Sequence, residues 1–321
     1  LNKKCSAQKG AFFIQNLVTF TSMFSSRKRL DRAYNNAKVI PFNNDSKFVL
    51  FSDCHRGDNS FADDFANNRN IYFHALKYYY TEGFQYCELG DGDELWENLS
   101  FTPILEAHKN VYMLMKLFHE QNKLHMIWGN HDMVYRDPKY VEKHLTTYFD
   151  EKIGKDVELF CDIKYHEGII LKHTETQQQL FLTHGHQADW WNYTFWKWSR
   201  FLVRILWKPL NVMGIADPTS PAKNYKELIK VERRTKRWII ENNNLVTITG
   251  HTHRPRFPNP GDIAFFNDGS CVHPRSITGL EIENGEISLI KWQIDTNEDG
   301  ILQIVRVLLE GPRKLIDYKT A

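Results

Sequence analysis

The run Phe48-Val-Leu-Phe51 stops on Ser52-Asp53-Cys54-His55, and this join constrains the chain more than any other stretch. Four apolar residues without polar alternation read as a strand buried on both faces, the kind found in parallel sheets. The turn-rich segment Arg56-Gly57-Asp58-Asn59-Ser60 ends it. Strand side chains repeat every two residues, which places Asp53 and His55 on one side and Cys54 on the other. A carboxylate and an imidazole on one sheet edge make half a site for a borderline divalent metal. The other half has to come from elsewhere in the chain.

The same join recurs. Phe84-Gln-Tyr-Cys-Glu-Leu89 runs into Gly90-Asp91-Gly92-Asp93-Glu94, and Leu124-His-Met-Ile-Trp128 into Gly129-Asn130-His131-Asp132. Gln179-Leu-Phe-Leu-Thr183 meets His184-Gly185-His186, and Leu245-Val-Thr-Ile-Thr249 meets Gly250-His251-Thr252-His253. Helical patterns lie between the early runs: 61–80, with Phe61, Phe65, Tyr72, Phe73, Leu76 and Tyr79; about 100–120; and 138–149, opened by Pro138. This alternation predicts an α/β sandwich with its site at the strand C-terminal ends. Gly168–Lys172 and Gln179–Thr183 are expected to form a hairpin. The segment 262–309, around Asn284-Gly285 and Glu298-Asp299-Gly300, reads as closing antiparallel strands. Alone, each Asp or Asn could cap a helix and each His sit in a core. Five such coincidences favour a metal site.

Composition excludes several classes. With 321 residues the chain can bury a large core, as one domain with additions or two unequal ones. Its net charge of +2 gives no chain-wide basic field for nucleic acid. Five scattered cysteines without a Cys-x-x-Cys pair suggest a reducing compartment and no cysteine-based zinc site. There is no apolar run of about 18 residues, so no spanning helix is expected, and a cytoplasmic location follows as the expectation. Residues 11–25 resemble a weak signal sequence, but Gln15 and Asn16 interrupt the run and no cleavage site is clear. A packed or surface-lying helix within a basic lead-in over 1–45 is the preferred reading.

Taken in order, Asp-x-His, Gly-Asp-x-x-Glu, Gly-Asn-His-Asp, His-Gly-His and Gly-His-Thr-His resemble the motifs of the calcineurin-like metallophosphoesterases. The resemblance spans Phe48 to about Arg275. It implies an α/β (α+β) fold: a four-layer α/β/β/α sandwich of two mixed sheets, over 46–321. Asn267-Asp268-Gly269-Ser270 is similar to the family's closing Asn-Pro-Gly-Ser turn, and Asp268 in place of proline is expected to leave the chemistry unaffected. By resemblance, one metal is held by Asp53, His55, Asp91 and His253, the other by Asp91, Asn130, His184 and His251, with Asp91 bridging. Carboxylate, amide and imidazole donors suit manganese, with iron or zinc as alternatives, better than calcium or magnesium. Two such ions about 4 Å apart can share a hydroxide and clamp a phosphoryl group for in-line attack. His131 is the implied general acid, oriented by Asp132. Glu94 is expected to orient a neighbouring group. His186 is read as lying beside the ligands and, with Arg56, as a substrate contact; for Arg56 a structural ion pair is the alternative.

A helical cap insertion is expected at about 187–243. Five of nine tryptophans lie between Trp190 and Trp207, with Trp191, Phe195, Trp198, Leu202 and Leu206 on one stripe and Lys197, Arg200, Arg204 and Lys208 on another. Lys226, Lys230, Arg233, Arg234, Lys236 and Arg237 make a second basic helix. The insertion reads either as a helical cap with a solvated basic face or as a lid for an amphiphilic phosphate, with peripheral membrane contact through 190–208. Leu89–Trp96, Gly129–Asp132, His184–Asp189 and Gly250–Pro255 look closest to the UDP-2,3-diacylglucosamine pyrophosphatase-like branch. His186, where that branch has Asp, and Asp53–Asp58, which replaces its leucine-rich start, depart from it, so its substrate does not follow. The expected activity is a dimetal phosphohydrolase cleaving a phosphate ester or pyrophosphate of a phosphorylated small molecule or lipid-like substrate. A nuclease or cyclic-nucleotide phosphodiesterase is the alternative, and a non-catalytic scaffold a third.

Overall fold

The computed structural model describes residues 26–189, 193 and 225–318. Expectations for 11–25 and, apart from Tyr193, for the tryptophan-rich stretch lie outside the described residues. Two mixed sheets pack face to face. One orders β1 (Lys38–Phe42), β8 (Gly168–His173), β9 (Gln179–Thr183), β10 (Val246–Thr249) and β11 (Phe265–Asn267). The other orders β14 (Leu302–Lys314), β13 (Glu286–Thr296), β12 (Ser276–Glu283), β2 (Phe48–Phe51), β3 (Gln85–Leu89), β4 (Leu124–Ile127) and β7 (Tyr165–His166). A small hairpin, β5 (Thr147–Asp150) and β6 (Lys155–Glu158), stands apart.

Strand β2 shows why its sequence does not alternate. Phe48 and Leu50 enter the layer between the sheets with Leu180, Leu182 and Ile248, while Val49 and Phe51 meet the helical layer. Both faces are dry. That outer layer contains α2 (Arg69–Thr81), α3 (Thr102–Ala107), α4 (Lys109–Glu120) and α5 (Pro138–Leu145). Helix α2 buries Ile71, Tyr72, Ala75, Leu76 and Tyr79 along one stripe. On the far side, α1 (26–35) and α6 (Tyr225–Glu241) cover the five-stranded sheet, where Leu30, Ala33, Val231, Trp238 and Ile239 pack on Ile170, Phe181 and Phe265. The order is helix, sheet, sheet, helix.

Several expectations change. The described part of the lead-in is more than a solvated helix end: β1 pairs parallel with β8 as an edge strand, where Pro41 is tolerated. Residues 61–68 are turns: Asp63 accepts the N–H groups of Asn59, Phe65 and Ala66, which captures the backbone before a helix can start. The stretch 100–120 breaks at His108, whose buried ring meets Asp63 at 2.8 Å. Helix α5 stops at Leu145, and Thr147-Tyr-Phe, better suited to a strand, begins β5. The second basic helix, α6, belongs to the sandwich layer and turns Lys226, Arg233 and Arg237 outward. β11 runs parallel to β10 rather than joining the closing antiparallel strands, which are β12, β13 and β14. The hairpin β8–β9 and the Asn284-Gly285 turn form as expected, the latter with φ of 55° and 70°.

Candidate metal centre

The C-terminal ends of β2, β3, β4, β9 and β10 meet at one end of the sandwich. Backbone pairing continues past the strands: Asp53 N–H donates to Gly90 O, His55 N–H to Asp91 O, and Gly250 N–H to His184 O. This pairing holds residues in a backbone region that L-residues avoid. Asp53, His55, Asp91, His251 and His253 have φ of 52°, 49°, 51°, 66° and 52°. Each costs on the order of 1–3 kcal/mol, a strain that clusters at functional sites. Asp53 and His55 thus converge through left-handed backbone beyond β2, whereas the sequence placed them by strand alternation. Gly90 is required here: at φ 93° a Cβ would sit 2.8 Å from Gly129 N and from the His184 ring.

Among the described residues, two carboxylate–imidazole groups form at the strand ends, beside a third made of His55, Glu94 and His131. Asp53, His55 and His253 form one, with His253 Nε2 3.0 Å from Asp53 Oδ1. Asp91, His184 and His251 form the other, with His184 Nε2 3.1 Å from Asp91 Oδ2. His55 Nε2 lies 3.8 Å from Asp53 Oδ1 and 3.9 Å from Asp91 Oδ2, which links the groups. His184 Nδ1–H donates to Leu89 O at 2.8 Å, so its Nε2 lone pair faces inward. Asn130 is buried beside them, because the next residue's N–H binds Asp91 Oδ1 at 2.8 Å.

The buried carboxylates and imidazoles shift one another's protonation. Burial opposes ionisation of Asp53 and Asp91, yet His253 and His55 hold the first, and His184 and His131 the second, far below the usual carboxylate range. In return, burial opposes the imidazolium, but Asp91 holds His184 up at about 9, and Asp53 and Glu94 hold His55 well above normal. Among the described residues, several atoms nevertheless lack hydrogen-bond partners while fully buried: Asp53 Oδ1, Asn130 Oδ1 and His184 Nε2. Buried lone-pair atoms left without partners in this way fit divalent cations better than protons.

His131 lies against this centre, its ring 4.6 Å from that of His55. Here the structure corrects the sequence. Asp132 does not orient His131; its oxygens accept the Gly92 and Gly129 N–H groups at 2.8 and 2.6 Å. Glu94 does so, 2.8 Å from His131 Nδ1 and 2.9 Å from His55 Nδ1. Trp96 stacks on His131 at 4.1 Å and anchors itself on Asn130 O. Glu94 was legible as an orienting residue, but its partner was not, since the pairing runs across two loops. Burial, with Asp91 and Asp93 adding to it, pushes Asp132 up to about 7.

For Arg56, of the two alternatives, the structural ion pair is the one that forms. The residue is fully buried, bidentate to Glu88 at 2.7 Å and bonded to Asp93 at 2.9 Å, so its guanidinium ties the loop after β2 to β3 and to the loop that follows it. His186 is buried between Trp128 and Tyr193, with neither ring nitrogen hydrogen-bonded among the described residues. Burial, then His184 and His251, keeps it neutral. Asp189, which the sequence left without a role, sits 3.3 Å from His251 Nε2.

No protein-family model matches the chain, and no curated protein matches it. Among solved structures, Vacuolar Protein Sorting 29 from Cryptosporidium parvum aligns over 83% of this chain and 98% of that one, at 13% identity and a TM-score of 0.37. Chaetomium thermophilum Vps29 aligns over 82% and 96%, at 9% identity and a TM-score of 0.36. Overlap this loose transfers no residue roles. Among the described residues, no helix is long and apolar enough to cross a membrane.

Proposed function

We propose that this chain is a dimetal phosphohydrolase acting on a phosphate ester or pyrophosphate. The observation that carries this reading is the pair of buried carboxylate–imidazole groups joined through His55 and Asp91, with His131 held beside them by Glu94. In this reading Asp53, His55, Asp91 and His253 hold one ion, and Asp91, Asn130, His184 and His251 the other. Bound there, two divalent ions, manganese first, would lower the pKa of water and neutralise phosphoryl oxygens. The chain's own residues do the rest. Glu94 keeps the Nδ1 proton of His131, so Nε2 is the atom that hands a proton to a leaving-group oxygen. Trp96 closes one face of the ring and limits its rotation.

An amphiphilic substrate, lipid-linked phosphates included, belongs to the same proposal. Phe61 and Leu99 are 96% and 78% exposed on the loops that leave β2 and β3 at the site's end of the sheet. Peripheral contact with an anionic membrane through 190–208 would follow, and vesicle flotation tests it. The function is tested with metal-stripped protein given Mn, Zn, Mg or Ca singly and assayed on p-nitrophenyl phosphate and its bis ester. Asp91→Ala is expected to lose bound metal and turnover together. Retained turnover in that variant would sink the proposal, and bound metal without turnover on any ester would point to a scaffold.

A further inference from the structure

The turn after β11 carries an acid that the proposed chemistry leaves unused. Asp268 is 0% exposed, its Oδ1 lies 2.7 Å from Ser52 Oγ, and its Oδ2 has no hydrogen-bond partner among the described residues. Ser52 Oγ is also 2.5 Å from Asp53 Oδ2. One hydroxyl thus lies between two carboxyl groups, and a hydroxyl has one proton to give. With both acids ionised, one of these two contacts would set oxygen lone pairs against each other with no proton between them, which is costly in a buried site. One of the two must therefore donate.

The surroundings decide which. Asp53 Oδ2 accepts the His251 N–H at 2.8 Å, and Oδ1 faces His253 Nε2, so Asp53 is the anion. Among the described residues, no basic side chain is hydrogen-bonded to Asp268. Burial, with the Asp53 charge adding to it, pushes Asp268 well above the usual carboxylate range. The turn itself is bolted in place: Asn267 Nδ2 donates to Gly250 O at 2.6 Å, and Asp268 N–H to Thr249 O at 3.1 Å.

We propose that Asp268 is a positioning residue that, as a neutral acid, donates to Ser52 and so aims the Ser52 hydroxyl at Asp53 Oδ2. Asp53 is then fixed with Oδ1 turned toward the cation. Its place in the turn, which the sequence treated as inconsequential, becomes a device of this chain. The inference rests on the metal reading above.

Mn2+ binding to metal-free protein, followed by calorimetry, tests it in Asp268→Asn, Asp268→Ala, Ser52→Ala and Asp91→Ala. Asparagine donates from the same position without needing a proton. Asp268→Asn is expected to bind Mn2+ within about threefold of the wild type, while Asp268→Ala and Ser52→Ala weaken one of the two ions by about 10–100-fold, the usual effect of losing a partner behind a ligand. Wild-type affinity in Asp268→Ala, or equal losses in the asparagine and alanine variants, would overturn the inference. Should Asp268→Ala not fold, Ser52→Ala read against Asp268→Asn makes the same distinction. Wild-type protein that takes up no Mn2+, or Asp91→Ala that takes up as much, would remove the metal centre itself and this inference with it.

Discussion

Replacing Arg56 with methionine is expected to destabilise the protein severely without acting as the loss of a substrate contact. The guanidinium neutralises Glu88 and Asp93, each 1% exposed. Tyr86 donates to Glu88 at 2.7 Å and Tyr135 to Asp93 at 2.6 Å. Those hydroxyls satisfy lone pairs but carry no charge, so the variant keeps two buried carboxylates with no counter-charge. Breaking a buried ion pair by removing one partner costs about 3–5 kcal/mol. Set against a total stability of about 5–15 kcal/mol, that is a large fraction. For a chain of this size a loss of about 4 kcal/mol lowers the melting temperature by about 6 °C. Urea denaturation followed by circular dichroism gives the number, and Glu88→Gln with the double variant supplies the coupling. Arg56→Lys should recover only part of the loss, because an ammonium cannot bridge both Glu88 oxygens while reaching Asp93. If Arg56→Met melts within about 2 °C of the wild type while KM rises, the guanidinium is a phosphate clamp after all and the structural reading fails.

Other perturbations separate neighbouring roles. Glu94→Gln is expected to lower turnover by about 100-fold, most for poor leaving groups, with the metal at Asp91 retained, while Asp132→Asn leaves the turnover ratio between good and poor leaving groups unchanged; steady-state kinetics on a series of substituted phenyl phosphates checks both. Burial, with His166 and Lys38 adding to it, depresses His125 to about 4. The unfolded chain therefore binds more protons between pH 6.5 and about 4, and stability present above pH 6.5 is lost as pH falls through that window. A shift of this size corresponds to up to about 3 kcal/mol. Urea midpoints measured across that range should fall less steeply in His125→Gln than in the wild type, and parallel curves would refute the assignment.

The amino-acid sequence by itself located the strand-end residues, because an apolar run followed by a ligand-type side chain is written within a few consecutive positions. It also gave the layer class, since period-two, period-3.6 and unbroken apolar runs each report local burial. What only the tertiary structure decided is which of those side chains face one another. Glu94 rather than Asp132 meets His131 because the loops after β3 and β4 lie side by side, and adjacency in sequence carries no such information. Arg56 directly follows His55, yet its backbone bond to Gly92 and its side-chain bonds to Glu88 tie it into the neighbouring strand. β1 and β11 were hidden for a similar reason: short edge strands acquire their identity from the parallel partner they pair with. The Asp268–Ser52–Asp53 chain joins residues 216 apart in sequence, so only the packing of two sheet ends brings a hydroxyl between two acids.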